Sequence, residues 1–185
     1  MTGFGPDKRW APYKKELFSH MCGRILFLAL GTGLDIQFFP PRQNILAIDI
    51  SPKMIEAAAD RVAAYSGTLK VQQMDVHDLE FDDAFFDQVY TSCTFCSVPN
   101  PIDGLKSLLR VMKPGGELRM FEHTGSVYFP FKQMFDLMNP FASRAGPNVN
   151  RPTVANVEAA GFTIRHVFPV YLDVVKMIHA EKPRG

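Results

Sequence analysis

The stretch RILFLALGTGLD, Arg24 to Asp35, constrains the fold more than any other part of the chain. After Arg24 it is apolar without alternation up to Leu30, the pattern of a strand buried on both faces. Gly31 and Gly33 follow at once, and a strand running into such a loop is expected to open a helix there. A strand covered on both sides needs further layers above and below it, so the expected product is an α/β domain.

The rest of the chain keeps that alternation. NILAIDI is a second apolar run. SPKMIEAAADRVAAY reads as a helix capped by Ser51, with Pro52 in its first turn and Gly67 beyond its end. LKVQQMD and FDQVYTSCTF read as the third and fourth strands. PIDGLKSLLRVM is a helix ended by KPGG, and GELRMFEH a fifth strand. RPTVANVEAA is a short helix stopped by Gly161, and FTIRHVFPV and DVVKMIHAEK are two closing strands. This order predicts a doubly wound, mostly parallel, Rossmann-like sheet, with ligands at the carboxyl ends of its strands.

Neither a repeat nor a linker interrupts the 185 residues, which predicts a single domain over 1–185. A net charge of +1 argues against a nucleic-acid protein working through a large positive field. No apolar run reaches the roughly 18 residues of a membrane span, and MTGFGPDKRWAPYKK lacks the apolar core of a signal peptide. Cys22, Cys93 and Cys96 suit a reducing compartment, so the expected location is cytoplasmic. The pair Cys93-x-x-Cys96 has no second pair to complete a structural zinc site and lies at a strand end, unlike a redox motif at a helix start. No metal site is expected.

Three features fall where a nucleotide-like cofactor would be held. Gly31-Thr32-Gly33 follows strand one and lets backbone approach a ligand. Asp49 ends strand two, where an acid can accept from a ribose. Asp75 ends strand three, where a carboxylate can take an amino hydrogen of adenine. Each alone has a structural reading as a turn or a cap; the ordered set of three is what points to an adenosine site.

At these residues the sequence resembles the class I S-adenosylmethionine-dependent methyltransferases. The matching pieces are GTG, AIDISPKMIEAA, MDVHDLEFDDAFFDQVY, FCSVPNP, LLRVMKPGGELRMFEH and NRPTVANVEAAGF. Within that superfamily it resembles small bacterial enzymes related to quinone and phospholipid N-methyltransferases. It is also similar to the methyltransferase-like thiol methyltransferases of animals, through ELFS and CSVPNP. The resemblance implies a seven-stranded sheet with an antiparallel last strand and S-adenosyl-L-methionine as cofactor. It puts Leu30, Gly31, Thr32 and Gly33 under the methionine part, Asp49 on the ribose, Ile50 and Met54 on the adenine, and Asp75 with Val76 at its edge. Ser92 and Cys93 would line the methyl-donor end.

The chain departs from the family pattern of an acid, x, and three spaced glycines: here the segment is Phe27-Leu28-Ala29-Leu30-Gly31-Thr32-Gly33. The missing acid normally helps to hold the cofactor's ammonium, a bond worth about 1.5–3 kcal/mol. Ala29 costs about 1–2 kcal/mol if its backbone is left-handed. The expectation is a working site with retuned methionine recognition.

Methyl transfer needs orientation and exclusion of water, and a base only where the acceptor must lose a proton. The candidates for acceptor chemistry are His123, at the end of strand five, and Tyr13, in a lid helix within residues 1–22. The aromatic, Met-rich segment 124–150 is expected to wall an acceptor pocket. Lys8, Arg9, Lys14 and Lys15 beside Trp10, Tyr13, Leu17 and Phe18 make the N-terminal stretch basic and amphipathic, suited to peripheral membrane contact. The first expectation is a small or lipid-like acceptor such as a phospholipid amine. The alternatives are a small thiol and a non-catalytic cofactor binder with a degenerate loop. A nicotinamide dehydrogenase is disfavoured, because the loop lacks GxGxxG spacing.

Overall fold

The computed structural model describes residues 6–124 and 151–185. The expected acceptor wall lies, apart from Thr124, outside the described residues. Seven strands form one sheet: β1 (Arg24–Leu28), β2 (Asn44–Asp49), β3 (Thr68–Gln73), β4 (Phe86–Ser92), β5 (Met112–His123), β6 (Thr163–Tyr171) and β7 (Val175–Glu181). Their order is β3-β2-β1-β4-β5-β7-β6. β1 to β5 pair in parallel, and β7 runs antiparallel to both its neighbours. The last reversal follows from chain length. Only three residues join β6 to β7, too few for a parallel crossover. Leu172 and Asp173 in that join both have positive φ, the conformation of a tight hairpin turn.

Alternation along β1 sorts its side chains between two different cores. Leu26 and Leu28 join Val89, Leu118 and Met120 in a mainly aliphatic layer beneath α3 (Pro101–Val111) and α4 (Thr153–Ala159). Ile25 and Phe27 face the other way, towards α1 (Pro6–Ser19) and α2 (Pro52–Ala63). There the layer is aromatic: Phe39 stands 5.0 Å from both Phe18 and Phe27, and Phe18 lies 5.8 Å from Phe27. α1 contributes Phe18 directly and anchors its first turns through Trp10, edge-on to Phe121 and Tyr171. The expected N-terminal helix is therefore present. Among the described residues no helix is long and apolar enough to cross a membrane.

α2 begins as its sequence predicts. The Ser51 hydroxyl accepts from the Met54 amide, and Pro52 occupies the first turn. Three expectations about element bounds need correction. The glycine loop opens no α-helix, only a five-residue 3-10 turn, Leu34–Phe38. Pro40 and Pro41 follow at once and cannot continue a helix, which leaves no room for a longer one. β4 stops at Ser92, before Cys-Thr-Phe, because Cys93 turns left-handed. Finally, KPGG does not separate helix from strand. β5 starts directly at Met112 and absorbs these residues as an irregularity between the pairs Phe86–Met112 and Gln88–Glu117.

Candidate functional site

A cavity of about 510 Å³ opens at the carboxyl ends of β1 to β4. That is the end of the sheet where a doubly wound fold receives ligands. Asp49 organises its floor. The carboxylate is buried, its Oδ2 accepts from the Gly31 amide at 2.7 Å, and its Oδ1 accepts from the Ser51 amide at 2.8 Å. One side chain thus ties the glycine loop to the start of α2. Each oxygen keeps a further lone pair for a ligand hydroxyl.

The two glycines of the loop serve different ends. A methyl group on Gly33 would come within 3.0 Å of Ile36 and 3.2 Å of Ala58, so Gly33 permits close packing. A methyl group on Gly31 would meet nothing within 4 Å. The space above Gly31 is open, as a loop that approaches a ligand requires. Ala29 has φ 57, so the strain anticipated for a left-handed alanine, about 1–2 kcal/mol, is present. Cys93 and Asn100 are also left-handed, at φ 53 and 45. All three line this cavity, which concentrates unfavourable backbone at one place.

At the β3 side, Asp75 is already engaged. Its Oδ1 accepts from the His77 backbone amide at 2.9 Å and lies 2.7 Å from His77 Nδ1. His77 Nε2 lies 2.6 Å from the Pro99 carbonyl. A carboxylate and a carbonyl can only accept, so the imidazolium, with both nitrogens donating, satisfies this bridge completely. Burial pulls the His77 pKa down, but the bonds to Asp75 and Pro99 outweigh it and the net direction is up. Asp75 is held below its ordinary range, chiefly by the His77 amide and ring. The bridge fastens the loop after β3 to the loop after β4.

The β4 side is stabilised by Glu122. It is fully buried and accepts from the Thr91 hydroxyl and from the amides of Thr94 and Phe95. Burial raises its pKa to about 7 against these three donors. Cys93 opens onto the cavity but is hemmed in by protein elsewhere. Burial, helped by Glu122, lifts its thiol to about 12, so it is no thiolate nucleophile. Cys96 is buried and its Sγ donates to the Cys93 carbonyl; both cysteines are free thiols.

Of the residues singled out from the sequence, Asp49, Ile50, Asp75, Val76 and Cys93 share the cavity wall. Leu30, Gly31, Thr32, Gly33, Met54 and Ser92 do not line it. Leu30 points into the aromatic core, Gly31 supplies its amide to Asp49, and the Thr32 carbonyl accepts from Arg61. Met54 is exposed on α2. Ser92 buries its hydroxyl without a hydrogen-bond partner among the described residues. Neither candidate for acceptor chemistry reaches the cavity wall. Tyr13 packs near Phe168, with ring centroids 6.3 Å apart. His123 ends β5, where burial lowers its pKa and keeps the ring neutral near pH 7. Sequence reasoning missed Ala29, His77 and the run Ser97–Asn100. The Asp75-x-His77 spacing was a usable signal for the second; the third was hidden by reading β4 as too long.

A sheet of this order, with a strand-two acid clasping a glycine loop beneath an open cavity, defines a nucleotide-type cofactor-binding α/β domain. The chain belongs to the methyltransferase domain family, whose model matches residues 26–120. It is 33% identical over 142 residues to the ubiquinone/menaquinone biosynthesis C-methyltransferase UbiE of Geotalea daltonii, covering 73% of this chain and 60% of that one. It is 29% identical to the phosphatidylethanolamine N-methyltransferase of Cereibacter sphaeroides, covering 63% and 65% of the two chains. The thiol S-methyltransferase TMT1B of Homo sapiens is 30% identical, with 70% and 59% covered. An S-adenosylmethionine-dependent methyltransferase from Mesorhizobium loti shares the fold, with a TM-score of 0.69, 17% identity, and 94% and 97% of the chains covered. The chain spans about 60% of the length of the first curated relatives it matches. The cofactor of this fold and family is S-adenosylmethionine, and the open face of Gly31 beside the Asp49 carboxylate fits its adenosine part.

Proposed function

We propose that this chain is a catalytically active S-adenosylmethionine-dependent methyltransferase acting on a small or lipid-like acceptor. The observation that carries the reading is the Asp49 carboxylate, buried at the cavity floor and bonded to the glycine loop it would share with the cofactor. When bound, S-adenosylmethionine supplies an activated methyl group on a sulfonium. Asp49 would hold the ribose, and Ile50 would cover the adenine. The Asp75–His77 bridge would close the adenine edge. The Glu122 clamp would keep Cys93 and Thr94 in place beside the donor end.

The protein's remaining task is to orient the acceptor and exclude water. A neutral amine brings its own lone pair and needs no base, and no charged base lies on the described wall. That favours an amine over an acceptor that must lose a proton at the site. A lipid-like acceptor is supported by exposed Phe168 and Leu172 on β6 and its hairpin, 51% and 52% exposed, next to basic α1. This face would meet an anionic membrane surface from the cytoplasmic side. The likeness to a phosphatidylethanolamine N-methyltransferase points the same way. The second reading, a small thiol, draws on the likeness to TMT1B and on neutral His123 as a proton acceptor.

Calorimetric titration with S-adenosylmethionine and S-adenosylhomocysteine tests the cofactor. Transfer of labelled methyl to phosphatidylethanolamine vesicles, compared with a small alkyl thiol, tests the acceptor. Micromolar binding with label in the lipid is the expected result. Label in the thiol alone would move the assignment to the second reading, and no binding at millimolar cofactor would overturn both.

A further inference from the structure

Phe27 raises a chemical problem that the cavity wall does not answer. It stands where the family pattern carries an acid, and it is packed against Phe18 and Phe39 in the aromatic core. An amino-acid end that enters this site therefore finds no carboxylate on β1 for its ammonium. Leaving that ammonium unpaired in a desolvated site is costly.

The glycine loop carries another acid two residues beyond Gly33. Asp35, on the 3-10 turn, forms an ion pair with Lys14 of α1. The two side chains are 12% and 14% exposed, so this is no ordinary surface pair. Lys14 Nζ lies 5.6 Å from the Phe121 ring centroid, and Phe121 pairs in register with Ser92 at the end of β4. The Ser92 hydroxyl is the buried polar atom left without a partner among the described residues. Lys14 and Asp35 also act on the Cys93 thiol from opposite directions, the first lowering and the second raising its pKa. One cation, one anion and one unpartnered hydroxyl thus gather around the carboxyl end of β4, on the side of the glycine loop.

An α-amino acid carries one ammonium and one carboxylate. A Lys–Asp pair offers the complement of both, and each partner can exchange its bond to the other for a bond to the ligand. We propose that Asp35 and Lys14 together read the amino-acid end of S-adenosylmethionine, Asp35 taking the ammonium and Lys14 the carboxylate, in place of the acid lost at Phe27. This rests on the cofactor assignment above. It makes α1 part of the cofactor site, since Lys14 belongs to that helix.

The test compares two probes that differ in this end alone. S-adenosylhomocysteine keeps the amino acid, and 5′-methylthioadenosine lacks it. Calorimetric affinities of both are measured for the wild type, Asp35→Asn and Lys14→Gln. Each substitution is expected to weaken S-adenosylhomocysteine about 10- to 100-fold and to leave 5′-methylthioadenosine within about twofold. Binding of the second probe shows that the variant is folded, and two variants on separate elements guard against failure of either. Parallel loss of both probes, or no loss of either, would overturn the proposal and make the pair a latch for α1. If the wild type bound neither probe, the cofactor assignment itself would fall.

Discussion

The two ends of the cavity are held by different kinds of connection. At the β2–β3 end, polar groups are fastened by near neighbours. Asp49 bonds the amide two residues on, and Asp75 bonds both the amide and the ring of His77, also two residues on. At the glycine-loop and β4 end, the charges come from separate elements. Lys14 reaches Asp35 across 21 residues of chain, and Glu122 accepts from groups 27 to 31 residues away. The first end is set by turns that form wherever their sequence goes. The second exists only once α1, β4 and β5 have packed. The adenosine part of a ligand would meet a preformed surface, and its amino-acid part a surface assembled by tertiary structure.

The most damaging way to break this contrast is Phe27→Glu. On sequence grounds the change restores an acid to its usual place. In the fold it puts a carboxylate among Phe18, Phe39 and Tyr90, and urea unfolding should show a loss of about 3–5 kcal/mol. A stable Phe27→Glu protein with tighter S-adenosylhomocysteine binding would show that the glycine-loop end is less committed to its aromatic packing than described.

A middle-sized effect should separate the local end by pH. The His77 pKa is raised on folding, so its contribution is complete below about 6.5 and fades as pH climbs through the folded value. Glu122 acts in the same direction. Its folded pKa of about 7 exceeds its ordinary 4.5, so stability falls as pH rises from about 4.5 to 7 and is level above. Melting curves across pH should therefore decline towards neutrality in the wild type. In His77→Gln the decline should shrink by the His77 share and keep the Glu122 share. An unchanged profile would mean that the Asp75–His77–Pro99 bridge does not hold the loops.

The smallest effect is expected at Ala29. Glycine there relieves about 1–2 kcal/mol of left-handed strain and loses roughly 0.5–1 kcal/mol to unfolded-chain freedom. Ala29→Gly should raise the melting midpoint by about 1–4 °C. A fall would indicate that the methyl group makes contacts worth more than its strain.

Much of this contrast follows from what a sequence can display. The continuous apolar runs around Leu26, Leu46 and Val89 announced strands buried on both faces. Ser51-Pro52 marked the start of α2 through purely local chemistry. Asp49 and Asp75 could be placed because a strand end is defined by the residues beside it. The structure of the other end was not legible. Nothing near Phe27 says that Phe18 and Phe39 will enclose it, and nothing near Asp35 names Lys14. Pro40-Pro41 did forbid the helix expected after Gly33, a local signal outweighed by the pull of the glycine pattern. The end of β4 was misplaced because Cys-Thr-Phe suits a strand, while the left-handed turn at Cys93 is enforced by Glu122 from β5.

The docking of α1 also has a consequence in time. This helix leaves the ribosome before any strand of the sheet. Yet Trp10 rests on Phe121 and Tyr171, and Arg9 stacks over Tyr171 at 3.9 Å. Those partners are made after most of the chain. α1 must therefore wait, apolar face uncovered, until synthesis is nearly finished, and contacts so distant in sequence are the slow ones to close. The first element born is the last to settle, and a nascent chain should be most in need of a chaperone at its own beginning.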